Sequence, residues 1–106
     1  MKANIFDDYK AESEVEIFET LFKNENVVIE RIVSYGNVTP DEEWYDQDKD
    51  EWVLLLDGIA RLVFEDDKIV ELKKGDYIYL PAHQKHKVIY TSTEPNCIWL
   101  AFHFKT

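Results

Sequence analysis

Little in this chain can cross-link, kink or span. Cys97 is the single cysteine, so no intrachain disulfide can form, which fits a reducing compartment. Three glycines and three prolines in 106 residues leave no flexible linker, and there is no internal repeat; one domain is expected. Cations are also scarce: 12 Lys and Arg stand against 22 Asp and Glu, a net charge of −10. A surface that acidic repels phosphate backbones and anionic lipid, which argues against nucleic acid or a membrane as partner. The longest apolar runs, 52–56 and 97–102, are far too short for a membrane-spanning helix. The opening Met-Lys-Ala-Asn-Ile-Phe-Asp-Asp turns acidic at once and predicts no secretory leader. No glycine-rich phosphate loop or nucleophile elbow is present. These absences predict a soluble, cytoplasmic domain.

What the chain does have is β pattern and large rings. Hydrophobic residues reach 45% and aromatics 14%, enough to fill a core and to argue against disorder. Residues 1–12 show no period and read as an arm. Val15, Phe18 and Phe22 fit one face of a short helix, with Ser13 and Glu16 at capping-box spacing. The alternative is an edge strand using Val15 and Ile17. After a polar connector at 23–26, strand follows strand: 27–35, then 44–57, acidic at first and strongly apolar after, then 59–64, 69–72, 77–80, 86–90 and 97–104. Asp57-Gly58 is a hairpin signal, and Lys74-Gly75-Asp76 marks a turn before Tyr77. Gly58 and Gly75 are expected in backbone conformations that other residues tolerate poorly.

Strands at this spacing, with no crossover helices, predict an all-β antiparallel sandwich or barrel. Residues 1–26 would form an arm with a short helix or strand, and 27–106 the barrel. The doubly apolar runs 52–56 and 97–102 predict strands covered on both faces and hence a homodimer.

Two stretches carry a family resemblance. Glu51, six residues, then Gly58 resembles the second half of the first cupin motif; Gly75, five residues, Pro81, then His86 resembles the second motif. The chain is similar to small single-domain cupins over about residues 27–104. The resemblance implies an antiparallel double-stranded β-helix, the jelly-roll barrel. Cupin metal sites combine a His-x-His pair, a glutamate and the second-motif histidine; Glu51 and His86 match the last two, and the pair is absent. Counting back by the shorter family spacing places Tyr45 and Gln47 there, and by the longer spacing Trp44 and Asp46. If the strand runs straight, Tyr45, Gln47, Glu51, Val53 and Leu55 share a face, which favours Gln47.

Each candidate also has a plainer reading. His86 could be a buried neutral imidazole with one hydrogen bond, and Glu51 could be neutralised by Arg31 as a structural pair. Gln47, Glu51 and His86 together would make a sparse metal site, suited to Zn, Fe, Mn or Ni rather than Mg or Ca. Asp46, His103 and His83 are reserve ligands, with His83 expected at the rim of a turn. The seven acidic residues of 41–51 imitate a calcium loop only in part, and read as a solvated rim. Cys97 reads as a small buried apolar residue. Two functions follow: a cupin that binds a small molecule, a divalent metal or both, or a metal-dependent oxygenase or isomerase acting on a small organic acid or sugar. In the second, Glu51 or Tyr45 would move protons.

Overall fold

The computed structural model describes residues 2–10 and 12–105. Eight strands follow one another: β1 Ile17–Lys23, β2 Val27–Ser34, β3 Asp50–Asp57, β4 Ile59–Phe64, β5 Ile69–Lys73, β6 Tyr77–Leu80, β7 His86–Thr91 and β8 Cys97–Phe104. They form two antiparallel sheets, ordered β1-β2-β8-β3-β6 and β5-β4-β7, packed as a jelly roll. Among the described residues there is no helix, and none long and apolar enough to cross a membrane.

The short helix expected over 13–22 is therefore a strand. β1 pairs along β2, from Ile17 opposite Val33 to Lys23 opposite Val28, with a bulge between Thr20 and Phe22. A helix of ten residues is marginal alone in water, whereas the bare edge of β2 offers a row of unpaired donors and acceptors. The capping box does not form: Ser13 bonds Val15 locally, and the Glu16 carboxylate accepts from the Ser34 hydroxyl instead.

Alternation along each strand sets what faces the space between the sheets. Inward on β3 stand Glu51, Val53 and Leu55; on β8, Cys97, Trp99, Ala101 and His103; on β2, Glu30, Ile32 and Ser34. Val53, Leu55, Ala60, Leu62, Phe64, Leu72, Leu80, Cys97, Trp99 and Ala101 form one buried cluster. Each large aliphatic side chain there contributes roughly 1.5–3 kcal/mol by leaving water. The hairpin between β3 and β4 turns at Gly58, whose φ is +92°. A Cβ there would stand 2.8 Å from Cys97 Sγ and 2.9 Å from Ser92 Oγ, so glycine is required twice over. Gly75 also has positive φ, +91°, as its turn demands.

The outer face of the larger sheet is aromatic. Cross-strand partners share a face, so Phe22, Ile29, Phe102, Trp52 and Tyr79 make one row across all five strands. Trp52 meets Phe102 edge-on at 5.7 Å between ring centroids. Arg31 lies on this outer side as well. Its guanidinium pairs with Glu19 and donates to the carbonyls of Ile5 and Asp7, tying the N-terminal arm to β2. It is not the partner of Glu51.

Candidate functional site

The space between the sheets opens at one end into a cavity of about 100 Å³. The chain's own punctuation builds its mouth. Pro81 ends β6, and the buried Asp50 carboxylate accepts the Ala82 N–H at 2.8 Å, fixing the corner. His83 follows with φ +65°, and its N–H reaches the Gln47 carbonyl at 2.7 Å. The backbones of Tyr45 and His86 then exchange two hydrogen bonds, at 2.8 and 3.2 Å.

Gln47, Glu51 and His86 all line this cavity, as do Tyr45 and His103. The straight strand from Tyr45 does not exist: β3 begins at Asp50, after a run in which like charges disfavour a ladder. Gln47 reaches the cavity from a loop, held there by His83. Asp46 is exposed and turns to His83 Nδ1, 2.9 Å away, so both stand on the rim.

The polar groups form a chain. His103 lies directly across from Glu51 on the β3–β8 ladder. Its Nε2 meets Glu30 Oε1 at 2.9 Å and its Nδ1 meets Gln47 Oε1 at 3.1 Å. Gln47 Nε2 in turn donates to Glu51 Oε1 at 3.2 Å. A second group lies deeper: the Trp99 indole N–H donates to Ser34 Oγ at 3.0 Å, and Ser34 donates to Glu16. Burial pushes the Glu16 carboxyl above the usual range, against the opposing pull of the Ser34 bond. Burial also raises the Tyr45 phenol, and the charges of Glu16, Glu51 and Glu43 push the same way. Near neutral pH Tyr45 is thus a hydroxyl, not a base. Its ring stacks on His86 at 5.4 Å and 22°.

His86 is 6% exposed. Its Nδ1 faces the Gln84 carbonyl at 3.0 Å. A carbonyl only accepts, so Nδ1 carries the hydrogen, and Nε2 of the neutral ring is left as an acceptor. Glu16 and Glu30 had not been singled out from sequence. Glu30 does carry a signal, a lone carboxylate alternating with Ile32 inside a β-branched strand; Glu16 carries none, because it was read within a helix.

A resident metal does not fit this donor set. Among the described residues no three His, Cys, Asp or Glu side chains are grouped to hold one. His103, Gln47 and Glu30 are committed to one another. Cys97 is fully buried, and burial raises its thiol, so it is neither ligand nor thiolate nucleophile.

Residues 32–103 match the cupin domain family, and the chain belongs to it. Among solved structures it is similar to a Ralstonia eutropha JMP134 protein assigned provisionally as a mannose-6-phosphate isomerase. The identity is 34% and the TM-score 0.95, over 100% of this chain and 99% of that one. A cupin superfamily protein from Desulfitobacterium hafniense shares 19% identity at TM-score 0.77, covering 92% and 84% of the two chains. An RmlC-like cupin with a double-stranded β-helix fold from Methanocaldococcus jannaschii shares 20% at 0.71, covering 92% and 87%. The last two likenesses concern the fold alone. No curated protein matches the chain.

Proposed function

We propose that this cupin binds a small molecule in the cavity between its sheets, with Glu51 and His86 as the contacting groups and Gln47 holding Glu51 in place. One observation carries the reading. His86 is nine-tenths buried, yet its Nε2 has no partner among the described residues and the side chain lines the cavity. Nε2 faces the cavity rather than the packed core, so a ligand that donates there replaces solvent with a fixed partner. A thermal-shift and NMR screen of small polar compounds tests this. His86→Ala is expected to abolish binding, while His83→Ala, on the rim, leaves it nearly intact. Equal losses would place the ligand elsewhere.

A second reading is a metal-dependent isomerase acting on a sugar, favoured by the name given to the Ralstonia relative. It would need Zn, Fe, Mn or Ni at Gln47, Glu51 and His86, against the fit found above. Metal analysis of protein purified without a tag separates the two: a stoichiometric transition metal supports the enzyme, and its absence supports the binding module.

We also propose that the working form is a homodimer joined through the outer aromatic row. Two copies of net charge −10 repel each other, so they can approach closely only along an apolar strip such as Phe22, Ile29, Phe102, Trp52 and Tyr79. A two-fold axis through that row would match it to itself. Light scattering at micromolar concentration should give the mass of two chains for the protein and one for Trp52→Glu. A monomeric unmutated protein would overturn the proposal.

A further inference from the structure

The cavity also specifies the chemistry of its ligand. Most polar groups that line it are already satisfied inside the protein. His103 uses both ring nitrogens, on Glu30 and Gln47. The Trp99 indole N–H is taken by Ser34, so the residue offers the cavity only its ring. Among the side-chain atoms that stay open are Nε2 of His86 and the second carboxylate oxygens of Glu51, Glu30 and Glu16. The imidazole nitrogen and the Glu51 and Glu30 oxygens are acceptors, while Glu16, raised by burial, is the carboxyl that holds a proton most readily. His86 is 6% exposed and Glu51 8%, and both line the cavity.

Charge points the same way. Glu16, Glu30 and Glu51 line the cavity, and no lysine or arginine does. Lys49 lines only the outer groove beside the mouth, among Asp46 and Asp48. His103 answers the charge of Glu30, since both its ring nitrogens face acceptors, and Glu51 has no such partner, so an anionic ligand beside it would meet a carboxylate at low dielectric. Size adds a third limit, since about 100 Å³ is less than the roughly 150 Å³ of an engineered cavity that holds benzene.

We propose that the ligand is a small organic cation, a primary ammonium or an amidinium. It donates N–H groups to Glu51 and to Nε2 of His86, with its carbon skeleton against the rings of Trp99 and Tyr45. Both rings have π-faces that attract a cation. This deepens the binding reading above and rests on it. On this proposal Glu51 disfavours a phosphorylated sugar, so the substrate in the name of the Ralstonia relative is not the ligand expected here.

Three probes of similar size test the idea: propylammonium, 1-propanol and propionate, titrated into isotopically labelled protein and followed through the signals of residues 51 and 86. Mannose 6-phosphate and Zn²⁺ form two further arms. Propylammonium is expected to bind at least tenfold more tightly than 1-propanol, with no binding by propionate or mannose 6-phosphate. Glu51→Gln, which keeps an acceptor for Gln47 and removes the charge, should erase the preference for propylammonium while the melting temperature holds. Tighter binding of 1-propanol, propionate or mannose 6-phosphate would overturn the cation and leave the binding reading standing. Saturable Zn²⁺ binding at these residues with no response to propylammonium would overturn it in favour of a metal. Silence from every probe would overturn both readings.

Discussion

The two ends of the space between the sheets are made by the same strands and come out opposite. At the closed end Leu55, Ala60 and Cys97 are wholly buried around Gly58, in contact close enough to exclude even a methyl group. At the open end the inward positions are Glu51 on β3, His103 on β8 and His86 on β7, around a cavity. Along β3 the change takes two steps, from Leu55 through Val53 to Glu51. The closed end is arranged for stability, and the open end places polar side chains where an optimal core would put aliphatic carbon. Substitutions at the closed end should therefore unfold the protein, and substitutions at the open end should empty it.

The largest effect is expected at the closed end. Gly58→Val combines a left-handed backbone with overpacking against Cys97 and should cost at least about 3 kcal/mol. Urea unfolding measures it; a loss near zero would mean that the hairpin can move and the closed end is not rigid. Leu55→Ala comes next, at about 3–4 kcal/mol for a buried leucine whose surroundings cannot collapse. Glu51→Gln provides the contrast, with an unchanged or higher urea midpoint. A fall comparable to that of Leu55→Ala would make the carboxylate structural and erase the distinction between the two ends.

The smallest effect sharpens the boundary between them. Burial holds Glu16 above the usual carboxylate range, so the folded protein keeps a proton that the unfolded chain has already released. Stability therefore falls as pH rises from the ordinary glutamate range through that raised value, and is restored below it. Glu16→Gln still accepts from Ser34 and should remove this fall, raising the urea midpoint near neutral pH above that of the unmutated protein. An unchanged slope would show that another group carries the titration.

Much of this was legible in the chain. Apolar runs, β-branched content and turn residues located seven of the strands, from β2 to β8, and the two glycines at the turns could be assigned positive φ, because those signals act over a few residues. β1 was misread because its local spacing suits a helix and only the edge of β2 makes it a strand. The side of β8 that faces inward was open from pattern, since Ile98, Leu100 and Phe102 are as apolar as Trp99 and Ala101. The outer row of the larger sheet is the reason: both faces of that strand meet apolar partners.

By itself, then, the sequence determined the succession of strands from β2 to β8, the turns, the acidic exterior and the motif spacing that brings Glu51 and His86 to one barrel. These follow from backbone sterics, side-chain alternation and summed charge, which need no knowledge of distant neighbours. Only the tertiary structure decided that Arg31 serves the N-terminal arm, that His103 completes a chain from Glu30 to Glu51, and that Nε2 of His86 is left open. Those outcomes depend on which hydrogen-bonding groups find each other across strands separated by up to 73 positions in the chain. A polar side chain is committed or free only in relation to the neighbours that folding brings to it.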